Sequence, residues 1–422
     1  MIEVRAARPD EYESIAVLCD RAFTAGRPPE QWTFPPAAGE PGRSVEHNIV
    51  RVVTRDHPGF TPECLRVAVH DGRPVAMTLF TPCRLRIGRG VVPGNVVGPV
   101  AVEPEAQRQG YGTAVMQDAL AAMRKAGHAL SYLWGHPGYY DRFGYSPSFP
   151  SCGVTARVET LRAPDGLPSG YRLVAVEPAH FGRLAALWNE NTATHTLSDV
   201  RDESPWLWTP QAPGADYGVL VDAAGAPAGY YQASAGPGRL KVFDAAIHDA
   251  AAGTALLGHL RRMAMEWGAA EFDLGLSPDH PLAHVAWQAE ARVHTHFSAG
   301  RFARVLNLPA LFEALREEFN HRLAHSELHA HTGMLTVRDE EEASTLALRG
   351  GLIQGVMPRA VAGAPVLELP LAQLNPLITG LRPAAEILAQ PGVSVAPAVR
   401  RLVEVLFPAG HPSPPGWPIF QV

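Results

Sequence analysis

Cysteine is scarce in this chain, and long apolar runs are missing. Its four cysteines, Cys19, Cys64, Cys83 and Cys152, are widely spaced, form no C-x-x-C pair and all fall within the first 152 of 422 residues. That pattern excludes a disulfide framework and a cysteine zinc site, and leaves reduced thiols in packing positions. No uninterrupted apolar stretch approaches the roughly 18 to 20 residues needed to cross a bilayer, and the opening MIEVRAARPDEYE is charged where a signal peptide carries an apolar core. A cytoplasmic protein with no membrane partner is expected. Charge is also sparse, at 18%, with 36 Lys and Arg against 42 Asp and Glu for a net −6. This balance gives no general attraction to nucleic acid or anionic lipid, so a nucleic-acid partner is not expected, while a mildly negative field suits a cationic substrate. Apolar residues, by contrast, make up 46%, which is enough for several cores and excludes a disordered chain. At about 100 to 200 residues per domain, the length argues for two to four units.

Proline and glycine, 39 of each, punctuate the chain. The stretch Ala163-Pro164-Asp165-Gly166-Leu167-Pro168-Ser169-Gly170 interrupts any helix or ladder and reads as a linker. A softer boundary follows Gly300, where Arg301 to Leu306 reads as a strand and Leu308-Pro309-Ala310-Leu311 opens an amphipathic helix. The division is therefore 1–165, 166–300 and 301–422. An internal repeat supports it. Val4-Arg5-Ala6-Ala7-Arg8-Pro9 leads into a helix with Tyr12, Ile15, Ala16 and Leu18 inside, and Leu173-Val174-Ala175-Val176-Glu177-Pro178 leads into one with Phe181, Leu184, Ala185 and Leu187. Hairpins follow in both copies, turning at Asp71-Gly72 and near Gly225. The expected fold is α/β, with two tandem copies of one domain and a separate α+β domain after Gly300.

The segment that carries chemistry runs from Val96 to Met116. A β-rich run ends at Pro104, a polar loop follows, and from Gly112 the apolar positions Val115, Met116, Ala119, Leu120 and Met123 take up helical spacing. Glycines 110 and 112 let backbone approach a ligand closely, and the first free N–H groups of the helix point into the turn. Such a terminus attracts phosphate, with Arg108 alongside. A dinucleotide loop is excluded because the third glycine position of G-x-G-x-x-G is Val115, and a Walker loop because no Gly-Lys-Ser/Thr occurs there. What remains is Q-x-x-G-x-G, Gln107 to Gly112, as a pyrophosphate site.

This stretch resembles the acetyl-CoA loop of the GCN5-related N-acetyltransferase (GNAT) superfamily, Q/R-x-x-G-x-G/A. The resemblance implies acetyl-CoA as co-substrate and no metal. Its pyrophosphate would rest on backbone from Arg108 through Gln109, Gly110 and Gly112 to Thr113, and its pantetheine arm would pair with Val100 and Val102. Pro99 departs from the aliphatic residue expected there and removes one N–H. Tyr140-Asp141-Arg142-Phe143-Gly144-Tyr145 looks like the superfamily stretch in which a tyrosine protonates the departing CoA thiolate. A phenol of ordinary pKa about 10 is protonated at neutral pH and suits that role. Tyr140 is the expected acid and Tyr139 the fallback, against the alternative that Tyr139, Tyr140, Phe143 and Tyr145 are a packed aromatic cluster.

The overall plan is similar to the enhanced intracellular survival (Eis) acetyltransferases, although only the first 150 residues carry specific motifs. That resemblance implies a sterol-carrier-like third domain and a homo-oligomer. It also implies a terminal carboxylate acting as base, which here is Val422. The chain ends Trp417-Pro418-Ile419-Phe420-Gln421-Val422, whereas the family ends on an aromatic residue. Glu103 is the alternative base, or else a solvated turn residue before Pro104. A base is needed because only about one in a few thousand amines of Lys-like pKa is neutral at pH 7. The acceptor is expected to be a small-molecule or lysine primary amine. Trp32 and Phe34 offer either an aromatic wall to its pocket or a loop anchor.

Two further features complete the reading. The second copy begins its matching helix at Asp249-Ala250-Ala251-Ala252-Gly253, without the Gln, the Arg or the glycine pair, so it is expected to be degenerate. His321, His325 and His329, spaced at four residues with His331 beyond, could project together if the helix from Leu308 ran on, as metal ligands or as a solvated face. The segment lacks H-E-x-x-H.

Overall fold

In a computed structural model, residues 2–25, 44–208, 215–236 and 238–414 are described. The chain is mixed α/β and divides into two compact units, one built on Met1–Phe149 with Ala299–Gly410, the other on Pro150–Ser298 with the chain from His411. These units do not coincide one to one with the sequence parts 1–165, 166–300 and 301–422. Residues 299–410 belong with the N-terminal stretch, and residues 150–165 with the middle one.

In the first unit, β1 (Glu3–Ala6), β2 (Leu65–His70), β3 (Arg73–Ile87), β4 (Gly90–Val102) and β5 (Leu130–Trp134) are neighbours in chain order, followed by strands Arg301–Val305 and Ser146–Pro147. The β2–β3 connection is a tight turn with positive φ at both Asp71 (48°) and Gly72 (77°), the mirror-image geometry that Asp-Gly favours in hairpins. Helices α1 (Tyr12–Thr24), α2 (Val45–Asp56) and α3 (Tyr111–Lys125) flank the sheet. The face of α3 that is buried carries Tyr111, Val115, Met116, Ala119, Leu120 and Met123, the 3.6-residue stripe read from the sequence. Pairs β1–β2, β2–β3 and β3–β4 are antiparallel, whereas β4–β5 is parallel with α3 as its crossover.

Residues beyond Gly300 add a second sheet to this unit, with strands ordered Leu352–Met357, Ala343–Arg349, Gly333–Arg338, Val366–Glu368 and Ser394–Val395. Helix Leu371–Thr379 joins it to the first sheet. The Asn375 side chain accepts from Val305 N (2.9 Å) and donates to Gly144 O and Ser146 Oγ, both at 3.0 Å. The histidine-bearing helix stops at Ala324, so His329 and His331 leave the face of His321 and His325. Among the described residues no group of three or more His, Cys, Asp or Glu gathers as a metal site. No described helix is long and apolar enough to cross a membrane.

The second unit repeats the strand plan. Arg172–Ala175, Asp216–Val221, Pro227–Gly236, Arg239–Ile247 and Glu271–Leu274 follow one another across the sheet, then Ser151–Arg157 and Arg292–His296. Its fourth and fifth strands are again a parallel pair joined through a helix, here Ala250–Glu266. Arg201 anchors its interior, bonded to Asp199 (2.8 Å), Asp244 and Tyr230, and stacked 3.6 Å from the Trp188 ring centroid. One buried guanidinium between two carboxylates leaves one negative charge over, and burial raises the Asp199 carboxyl accordingly.

Candidate active site

The site begins where two strands part. β4 and β5 pair through Gly94↔Leu130, Asn95↔Ser131 and Val96↔Tyr132, and the ladder goes no further. Beyond that point β4 continues to Val102, paired on its other side with β3, while β5 is paired on its far side with Arg301–Val305. One edge of β4 from Val97 to Val102 thus lies along a notch with no strand beside it among the described residues. The β3–β4 register also shifts there, from Phe80↔Val97 to Thr78↔Val100, so Gly98 and Pro99 form a bulge opposite a single residue. A bulge bends and twists its strand, which carries Val100 and Val102 away from β5. Both valines are half-buried, with Ala101 buried between them. Backbone donors and acceptors along such an edge need a partner.

A buried polar chain sits at the fork. Ser131 Oγ donates to Asn95 Oδ1 (2.7 Å), Asn95 Nδ2 reaches His128 Nδ1 (2.7 Å), and Ser131 Oγ meets Tyr145 Oη (2.8 Å). Because the serine proton goes to Asn95, the Tyr145 hydroxyl is the donor to Ser131, and His128 Nδ1 must accept. Burial drives the His128 imidazole down to about 4 and, with Ser131 pulling the other way, lifts the Tyr145 phenol to about 12, so each keeps the proton count its bonds require. Sequence reading missed Asn95, His128 and Ser131, since isolated polar residues give no periodic signal, and took Tyr145 only as part of an aromatic stretch.

Beside the notch lies the start of α3. Gly110 precedes it in the left-handed region (φ 90°) with no side-chain cap, and Arg108 also has positive φ (63°). Ala114 N–H donates back to Gly110 O (3.0 Å), which leaves the amides of 111–113 as the unpaired donors of the first turn. Arg108 and Gln109 are exposed, Gly112 and Thr113 half-buried. The Gln107 side chain donates to Val102 O at 3.4 Å, linking loop and strand. The fold brings together the loop residues Arg108 to Thr113 and the strand residues Val100 and Val102. At the matching helix start of the second unit, the Asp249 carboxylate accepts from Ala252 N–H (2.8 Å). There one of the donors is already served, and the charge is one that repels phosphate.

The aromatic stretch forms the other wall. The Tyr140 ring lies on Gly135, where a β-carbon would overlap it, and packs against Phe302 (centroids 5.9 Å) and Tyr145 (6.2 Å). Burial above all, then Tyr139 and Tyr145, holds its phenol well above the ordinary value, so it keeps its proton at neutral pH. Glu103 is gripped by Arg21, whose Nε donates to Oε2 at 3.0 Å and whose Nη2 bonds the other oxygen. Val422 lies outside the described residues, as do Trp32 and Phe34.

Residues 3–148, about a third of the chain, match the model of a family described as an acetyltransferase (GNAT) domain. This stretch therefore carries the pattern of a GNAT-type acetyltransferase domain. The uncharacterized N-acetyltransferase YjhQ of Escherichia coli (strain K12) is 27% identical over 115 residues, which cover 27% of this chain and 63% of that protein. The chain thus spans less than two thirds of that curated relative. Among solved structures, a conserved protein of Enterococcus faecalis V583 described as a "probable N-acyltransferase" superposes with a TM-score of 0.74 at 16% identity, covering 98% of each chain. Eis1 of Mycobacterium abscessus gives a TM-score of 0.64 at 18% identity, again over 98% of each. At these identities the likeness is one of fold.

Proposed function

We propose that this chain transfers an acetyl group from acetyl-CoA to a primary amine by direct attack, using one cofactor site in its first unit. The observation that carries the reading is the parting of β4 from β5 immediately after Val96↔Tyr132, with the uncapped first turn of α3 alongside. An amide-bearing pantetheine arm suits the strand edge at Val100 and Val102, where Val102 O now accepts from the Gln107 side chain at 3.4 Å, and a diphosphate suits the donors from Arg108 through Gln109, Gly110 and Gly112 to Thr113. The thioester carbonyl would then face the bottom of the notch, where a neutral amine attacks it. The bond from carbon to sulfur breaks, and Tyr140 gives its proton to the departing thiolate. The attacking amine must first lose a proton. The Val422 carboxylate, assigned by resemblance to the Eis acetyltransferases, takes it in this reading, since both oxygens of the alternative, Glu103, are engaged by Arg21. The three-part plan, with a degenerate middle copy and a sterol-carrier-like part after residue 301, belongs to the same proposal, as do cytoplasmic location and homo-oligomerisation.

Release of free CoA from acetyl-CoA, followed spectrophotometrically across a panel of polyamines, aminoglycosides, arylalkylamines and lysine peptides, tests the reaction. Tyr140→Phe is expected to lower kcat by about a hundredfold or more with little change in acetyl-CoA binding. Equal rates in the variant and the wild type would remove Tyr140 from the mechanism. Acetyl-CoA binding with no transfer to any amine would favour a non-catalytic sensor.

A further inference from the structure

The acid role proposed for Tyr140 leaves its neighbour without a task, and the two phenols address different parts of the site. Tyr139 reaches the beginning of α3. A β-carbon placed on Gly112 would stand 3.0 Å from Tyr139 Oη and 3.2 Å from Val102 Cγ2, so this hydroxyl sits where the loop and strand of the notch meet. Tyr140 instead rests on Gly135 at the end of β5. Their rings are 4.9 Å apart between centroids and nearly perpendicular, at 88°, so neither can take the other's place without repacking. Tyr139 is also held from behind. The Arg142 guanidinium lies 4.9 Å from its ring centroid, and Arg142 Nε donates to Tyr139 O at 3.0 Å and Nη2 to Gly138 O at 3.4 Å. The same loop is pinned by Gly138 N–H donating to Asp141 Oδ2 (3.1 Å).

We infer that Tyr139 is a cofactor-positioning residue whose hydroxyl donates to the diphosphate of acetyl-CoA at the first turn of α3. The two adjacent tyrosines thereby divide the work, one holding the donor and one protonating the leaving group. The inference rests on the reading of the notch as an acetyl-CoA site. A diphosphate carries more acceptor oxygens than three backbone amides can serve, and a phenol is a donor that adds no charge. Burial raises the Tyr139 phenol, with Arg142 pulling the other way, so the hydroxyl keeps its proton. Arg142 lies over the ring, 4.9 Å from its centroid, and helps fix its position.

Tyr139→Phe keeps the ring and its contacts and removes only the hydroxyl, so thermal melting should match the wild type. Calorimetric Kd and steady-state KM for acetyl-CoA are expected to rise about tenfold, the effect of losing a hydrogen bond to a charged acceptor, with kcat within about twofold. With S-acetylpantetheine, which has the thioester and no diphosphate, the variant and the wild type should react alike. A fall in kcat at unchanged Kd, an unchanged Kd and KM, or an equal loss with S-acetylpantetheine would overturn the assignment while leaving the acetyl-CoA site in place. Failure of the wild type to bind acetyl-CoA would sink both.

Discussion

The two residues that shape the site most are ones whose side chains are small or amide. Gly135 works by what it lacks, because the Tyr140 ring occupies the space of its β-carbon. Gly135→Ala must push that ring off the end of β5, and kcat for acetyl transfer is expected to fall at least tenfold with smaller effects on acetyl-CoA Kd, measured by CoA release and calorimetry together. Asn95 works by satisfying its neighbours. It is fully buried, and replacing it by leucine strands the Ser131 hydroxyl proton and the His128 acceptor. An unsatisfied buried group costs about 1 to 3 kcal/mol, so Asn95→Leu should lower the free energy of unfolding in urea by that amount. A stability equal to wild type would show that the chain at the fork is dispensable. Neither residue stands out in the sequence, since a glycine after a strand and an asparagine within one have many ordinary explanations.

At the scale of elements, the contrast between two helix starts separates a cofactor site from its degenerate copy. α3 begins after a left-handed glycine with no side-chain cap, whereas helix Ala250–Glu266 begins on Asp249, whose carboxylate takes the N–H of Ala252. This difference was legible in the sequence, because Gly110 and Asp249 are written there and capping chemistry is local. It yields a direct test. Gly110→Asp places a β-carbon on a left-handed backbone (φ 90°) that favours glycine and sets a carboxylate beside the first turn, and should weaken acetyl-CoA binding at least tenfold by calorimetry while α3 stays folded by circular dichroism. Binding as tight as in the wild type would mean that the first turn of α3 does not receive the diphosphate.

Across the whole molecule, buried neutral histidines link stability to pH. Burial lowers His128 to about 4 in the first unit and, with His195 adding to it, His280 to about 3 in the second. In the unfolded chain both titrate near 6.5. Above that pH neither state is protonated at these sites and no penalty arises. Between pH 6.5 and about 4 the unfolded state takes up protons that the folded state refuses, so stability should fall through this window, by up to a few kcal/mol per histidine. Glu11, held down to about 2 chiefly by its Arg5 hydrogen bond, adds a loss only below about pH 4.5. Urea midpoints at pH 7.0, 5.5 and 4.5 test this, and His128→Gln should flatten the profile. A midpoint constant from pH 7.0 to 4.5 would show that these imidazoles are not desolvated in the folded chain.

The local signals were readable from the residues alone. Strand, polar loop and helix from Val96 to Met116 follow from hydrophobic period and glycine placement, the hairpin at Asp71-Gly72 from turn chemistry, and the repeated strand-proline-helix from similar order in two places. What only the tertiary structure decided is non-local. The parting of β4 from β5 depends on which strand runs beside which, and on a bulge at Gly98 and Pro99 that shows itself only against β3. The grouping of residues 299–410 with the first 149 rests on pairings such as Phe302↔Leu133 and on Asn375 reaching Gly144. Such contacts link residues more than a hundred positions apart, where neither period nor propensity carries information. Sequence therefore specifies the chemistry of each segment, while the packing of distant segments determines which chemistries meet.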